Sequence, residues 1–152
     1  RSHRLAWERS ERIAAIAPVA GTDMTAQCQP RRAVSVLQIH GTADGLVPFE
    51  GGGVGRKGER GLIRSNAETA QVFADKAGCQ PAVRRAPIDA KKQDGTKVIV
   101  EDRAGCSAPV VNVVIEGGGH GWPGHPPRLS DATQEVDATS WLAAFFLDGK
   151  AP

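Results

Sequence analysis

Val34-Ser35-Val36-Leu37-Gln38-Ile39-His40-Gly41-Thr42-Ala43-Asp44 sets a largely apolar run directly against a polar turn. A short run of this kind predicts a strand covered on both faces, as in parallel sheets flanked by helices. Gly41 lets the backbone turn sharply at the strand's C-terminal end, which is where ligand sites lie in open α/β sheets. The same grammar recurs twice. Val110-Val111-Asn112-Val113-Val114-Ile115 runs into Glu116-Gly117-Gly118-Gly119-His120-Gly121-Trp122-Pro123-Gly124, and Ile13-Ala14-Ala15-Ile16-Ala17-Pro18-Val19 ends at Ala20-Gly21-Thr22. Three core strands are expected, and the later two put Asp44 and His120 at one edge of the sheet.

Helical patterns alternate with these strands. Arg1 to Ser10 reads as a charged helix entered in mid-course, so the chain is expected to begin inside a domain. Ser65-Asn66-Ala67-Glu68 has capping-box spacing, Ala70, Phe73, Ala74 and Ala77 fall on one face, and Gly78 is placed to end the helix. Asp137 can cap a last helix with Trp141, Leu142, Phe145 and Phe146 as its apolar stripe, closing at Gly149. Between Cys79 and Cys106, Asp94-Gly95 separates Ala82-Val83-Arg84-Arg85 from Val98-Ile99-Val100, predicting a small hairpin on the sheet's edge. Strands alternating with helices imply an α/β layered fold, with one domain or part of one in this chain.

Composition narrows the function classes. With 152 residues, 40% of them hydrophobic and 24% charged, the chain can build an ordinary globular core. Its net charge of +2 is spread without a basic block or interleaved aromatics, which argues against nucleic acid as a partner. No apolar run approaches the roughly 20 residues that cross a bilayer, so no membrane partner is expected. Cys28, Cys79 and Cys106 match no zinc pattern, and a structural metal is not expected. A Cys79–Cys106 bridge and three free thiols both remain open from sequence, with Cys28 unpaired or joined to a partner upstream.

Asp44 and His120 stand 76 positions apart, each just past an expected core strand. Ester hydrolysis by a serine needs a histidine as base and then acid, with an aspartate to set the imidazole tautomer and stabilise the imidazolium. Acid before base in the chain, with the nucleophile earlier still, is the α/β-hydrolase order. The other polar residues read more plainly. His40 ends an apolar strand and is expected to hydrogen-bond to neighbouring backbone, while His3 and His125 are expected at the surface. Asp44, His120 and His125 make a poor metal set, because a Pro/Gly loop fixes neither histidine. Gly51-Gly52-Gly53-Val54-Gly55-Arg56-Lys57-Gly58 lacks the Ser/Thr of a phosphate loop and reads as a flexible loop near the site's mouth. Ser65 and Ser130 are helix-start residues rather than nucleophiles, and Trp122 is read as a wall of the substrate pocket.

Ala14-Ala15-Ile16-Ala17-Pro18-Val19-Ala20-Gly21, Ile39-His40-Gly41-Thr42-Ala43-Asp44, Val47-Pro48-Phe49-Glu50-Gly51-Gly52 and the Gly117–Gly124 segment resemble the polyhydroxybutyrate depolymerase and feruloyl esterase family over almost the whole chain. The resemblance implies that Asp44 and His120 complete a catalytic triad. Gly121 stands where threonine is common in the family, a departure that alters the loop's flexibility and leaves the histidine in place.

In that family the helix resembling Ser2-His3-Arg4-Leu5-Ala6 directly follows a G-x-S-x-G nucleophile elbow, which this chain does not contain. The resemblance therefore implies that residues 1–152 are the C-terminal half of a single α/β-hydrolase catalytic domain. Nucleophile and oxyanion donors would belong to an N-terminal half that is the chain's first partner. It also implies a serine esterase without a cofactor, inactive as this piece, acting on a polyester, a hydroxycinnamoyl-decorated polysaccharide or an acetylated xylan. A secreted or periplasmic location follows from the family's habit and a Cys79–Cys106 bridge. The alternative is a non-catalytic binding or accessory fragment that retains the half-fold.

Overall fold

The computed structural model describes residues 1–24, 29–55, 58–84, 87–88, 94–126 and 132–149. In chain order these contain α1 (Ser2–Glu8), β1 (Ala15–Ile16), β2 (Ser35–Gly41), β3 (Gly52–Gly53), β4 (Leu62–Ile63), α2 (Asn66–Lys76), β5 (Ala82–Arg84), β6 (Lys97–Arg103), β7 (Val110–Glu116) and α3 (Ala138–Asp148). The main sheet has the order β1-β2-β7-β6-β5. β1, β2 and β7 pair in parallel, whereas β6 runs antiparallel to both its neighbours. The fold is thus mixed α/β with a mainly parallel sheet.

Alternation along β2 divides the interior in two. Leu37 and Ile39 pack with Val111, Val113 and Ile115 of β7, Val98 and Val100 of β6, and Trp141 and Phe145 of α3. Val36 faces the other way, with Val110, Ala6 of α1, and Phe73 and Ala74 of α2. Successive residues of a strand point to opposite faces, so a continuous apolar run serves two cores at once.

Both longer helices form as their capping residues dictate. The Ser65 hydroxyl accepts from Glu68 N–H while the Glu68 carboxylate accepts from Ser65 N–H, the reciprocal capping box. Asp137 caps α3 by accepting from Ser140 N–H, and Gly149 ends it in the left-handed region at φ 68°. The stripe on α3 is narrower than expected, because Trp141 and Phe145 are buried while Phe146 is exposed.

Several expectations are corrected. The strand expected over Ile13–Val19 is reduced to Ala15–Ile16 plus a bridge between Val19 and Ile39, since Pro18 between them has no N–H to donate. The edge excursion is larger than a small hairpin, because β6 pairs along its length with β7 and extends the sheet. The glycine-rich stretch after Gly51 is not a plain loop: β3 pairs antiparallel with β4, and Cα of Gly58 lies 2.8 Å from where a Cβ on Gly53 would stand. His3 is buried, not at the surface, because it shares the inward face of α1 with Ala6 and bonds Gln38 through Nε2 at 3.1 Å. Cys28 and Ser130 lie outside the described residues.

Cys79 and Cys106 are joined as a disulfide. It ties the end of α2 to the turn that leads from β6 into β7. Among the described residues no helix is long and apolar enough to cross a membrane, and no cluster of His, Cys, Asp and Glu could hold a metal ion.

Candidate active site

Because β2 and β7 are parallel and in register, with His40 opposite Val114 and Gly41 opposite Ile115, their chains leave the sheet at one level. The two turns then bind each other. Thr42 N–H donates to Ile115 O at 2.9 Å, Ala43 N–H to Gly118 O at 2.9 Å, and Gly117 N–H to the Thr42 hydroxyl at 2.9 Å. An ordinary residue could not replace Gly41 here, since a Cβ would lie 2.2 Å from Gly118 O.

This docking brings Asp44 and His120 together. His120 Nδ1 lies 2.8 Å from Asp44 Oδ2. The Asp44 side chain is fully buried, whereas that of His120 is 40% exposed. Asp44 Oδ1 is already engaged, accepting from Leu46 N–H at 2.9 Å and Val47 N–H at 2.8 Å in the manner of an Asx turn. Burial pushes the Asp44 carboxyl up, but the hydrogen bonds from Val47, His120 and Leu46 outweigh it and hold the group below the ordinary carboxylate value. A carboxylate can only accept, so His120 Nδ1 carries the proton between them. In the neutral imidazole that leaves Nε2 as the acceptor.

The His120 loop is braced on its far side. Trp122 Nε1–H donates to the Thr139 hydroxyl at 3.1 Å, holding a ring that is 41% exposed two residues past His120. Gly124 N–H donates to Thr133 O, and Ala138 N–H to Pro123 O, which fasten the loop to the approach of α3. Asp94 joins that segment to β6, accepting from Thr96 and from Gln134 N–H. His125 is exposed, as its loop position suggested.

Two neighbours of the pair were not evident from the sequence reading. Thr42, whose hydroxyl anchors the His120 loop, stands between Gly41 and Asp44 and carries no signal of its own. His40 is buried at the end of β2 and donates from Nε2–H to Val47 O at 3.0 Å, as expected of a backbone-bonded residue, but its Nε2 also lies 3.1 Å from Asp44 Oδ2. The four-residue spacing from His40 to Asp44 around a glycine turn was the available clue.

No family model matches the chain. Over an alignment 165 positions long, gaps included, it is 32% identical to a protein bearing an esterase name, NocK, of Nocardia uniformis subsp. tsuyamanensis, covering 96% of this chain and 47% of that protein. It is 31% identical to a protein named as a feruloyl esterase C of Aspergillus clavatus, over 77% of this chain and 36% of that protein. A protein of the same name from Aspergillus niger is 30% identical over 80% of this chain and 38% of its own length. The chain thus spans less than half the length of these curated relatives. Their shared esterase names support kinship with carboxylic ester hydrolases.

Proposed function

We propose that this chain supplies the acid, Asp44, and the base, His120, of a serine-type carboxylic ester hydrolase with an α/β-hydrolase fold. The carrying observation is the 2.8 Å contact between His120 Nδ1 and a buried, otherwise saturated carboxylate, with the imidazole itself 40% exposed. In that arrangement His120 Nε2 takes the proton from a serine hydroxyl as it attacks the ester carbonyl. The same nitrogen returns that proton to the leaving alcohol, and the cycle repeats with water to release the acid. Asp44 keeps the proton on Nδ1 and stabilises the imidazolium that forms between the two transfers.

The serine and the oxyanion-hole donors belong, in this reading, to an N-terminal half of the same domain. The similarity to esterase-named proteins roughly twice as long or more supports this view. Trp122 forms a wall of the pocket, and the substrate is an ester of a hydroxyalkanoate or of an acylated polysaccharide. The Cys79–Cys106 disulfide supports a secreted or periplasmic place of action.

The test is hydrolysis of a p-nitrophenyl ester by the protein that joins this chain to its upstream half. His120→Ala is expected to lower kcat by about six orders of magnitude and Asp44→Asn by about four. Undiminished turnover in either variant would refute the assignment. The 152-residue chain alone is expected not to turn over the ester. Hydrolysis by that chain which His120→Ala abolishes would place the nucleophile within it.

A further inference from the structure

We propose that His40 is a positioning residue, which as a neutral Nε2–H imidazole holds the Asp44 carboxylate in the orientation that presents Oδ2 to His120. The proposal rests on the reading of Asp44 and His120 as acid and base, and adds to it a third, buried residue that touches neither nucleophile nor substrate.

The tautomer follows from the partners. Val47 O lies 3.0 Å from His40 Nε2 and can only accept, so Nε2 must carry hydrogen. The same N–H lies 3.1 Å from Asp44 Oδ2 and is shared between the two oxygens as a three-centre bond. His40 Nδ1 is buried and has no hydrogen-bond partner among the described residues, so a second proton there would be a buried donor on a buried charge. Burial drives the His40 pKa down, against the opposing pull of Asp44 and of Val47 O, which agrees with a neutral ring. Phe49 packs edge-on against the imidazole, with centroids 5.5 Å apart, and fixes its plane.

The consequence for Asp44 is directional. Oδ1 is fixed by the residue's own turn through Leu46 and Val47 N–H. What sets the carboxylate plane is therefore what Oδ2 meets, and among the described residues Oδ2 meets His120 and His40 alone. His120 is 40% exposed on a glycine loop, whereas the His40 side chain is fully buried. Without His40, Oδ2 would take its orientation from the same half-exposed imidazole that it has to orient. With it, Oδ2 is anchored from the core side independently of His120.

The tautomer states can be read directly from long-range ¹H–¹⁵N correlation spectra of the ¹⁵N-labelled chain at pH 7, independently of any hydrolysis. In the native chain His40 is expected as the neutral Nε2–H form and His120 as the Nδ1–H form. A His40 that reports as Nδ1–H or as imidazolium overturns the proposal without any variant. His40→Leu is expected to reduce His120 Nδ1–H from the dominant to a minor form, and His40→Gln, which keeps an amide donor at that position, to restore it. A folded His40→Leu chain in which His120 is unchanged also overturns it. Asp44→Asn serves as the benchmark. If that variant leaves His120 unchanged, the pairing of acid and base fails, whereas sensitivity to Asp44→Asn but not to His40→Leu rejects His40 alone.

Discussion

The carbonyl of Gly118 occupies the space in which a side chain on Gly41 would begin, 2.2 Å from the position of its Cβ. The Asp44 turn and the His120 loop can therefore touch only while residue 41 has no side chain. Two backbone hydrogen bonds, Thr42 N–H to Ile115 O and Ala43 N–H to Gly118 O, depend on that approach. Backbone is the obstacle, so no rotamer change relieves the clash. Gly41→Ala is expected to cost about 1–3 kcal/mol of stability, as overpacking does, and to separate His120 from Asp44. Denaturant unfolding measures the first effect, and loss of the His120 Nδ1–H signature the second. A variant with native stability and an intact signature would show that the two turns can part without consequence.

Stability should fall in mild acid before the carboxylates titrate, because of His3. It is 2% exposed, and burial lowers its pKa from 6.5 to about 4 despite the bond to Gln38 and the nearby Asp23 carboxylate. Between those two values the unfolded chain binds a proton that the folded chain refuses, so stability rises with pH across that window and falls as the pH drops through it. From 6.5 down to about 4 the loss from His3 is roughly 3 kcal/mol, at about 1.4 kcal/mol per unit. His40 shifts in the same direction through its own burial and adds to the slope. Asp44 acts at lower pH: its depressed value means its contribution is present above the unfolded value of 3.8 and lost only as pH falls through the folded one. Denaturant midpoints at pH 7 and pH 4.5 should differ strongly in the native chain and less in His3→Gln. Equal differences in the two would rule out His3 as the source.

The elements readable from sequence were those whose signal is local. β2 and β7 each announce themselves as an apolar run stopped by glycine, and the caps at Ser65 and Asp137 are set within four residues of chain. That Asp44 and His120 would meet was legible because parallel strands deliver their C-terminal ends to one edge. The length of β6 was not, since Glu101, Asp102 and Arg103 are half-buried charges that continue the strand after Val98 and Val100 have filled the core. Nor was the burial of His3, because a helix of seven residues shows fewer than two full turns of pattern. The need for Gly41 is tertiary: the atom it makes room for lies 77 residues away. The backbone bond of His40 is legible from its place at the strand's end, but its contact with Asp44 depends on how the turn closes.

The disulfide should stabilise the fold without shaping the site. Cys79 and Cys106 are 27 residues apart and hold the end of α2 against the entry to β7, at the opposite end of that strand from the His120 loop. Closing a loop of that size is worth roughly 3–4 kcal/mol in the chain-entropy model. Reduction, or Cys79→Ser with Cys106→Ser, should lower the unfolding free energy by about that amount while the His120 tautomer stays native. A reduced chain as stable as the oxidised one would contradict the first statement, and a changed His120 signature the second.

Trp122 should act on substrate affinity rather than on the chemical step. Its indole N–H is tethered to the Thr139 hydroxyl at the start of α3, so the ring is held in place with 41% of its surface open, two residues past His120. A ring fixed before the substrate arrives loses little entropy on binding, and covering part of it with an apolar acyl or alcohol group is worth roughly 1–2 kcal/mol. Trp122→Ala should raise KM for a bulky p-nitrophenyl ester about five- to thirty-fold and alter KM for the acetate far less. Thr139→Val keeps the ring but removes its tether, so its effect on KM should fall between native and Trp122→Ala. If Trp122→Ala instead lowered kcat equally for both esters and left KM alone, the ring would be supporting the His120 loop, and the pocket-wall assignment would have to be withdrawn.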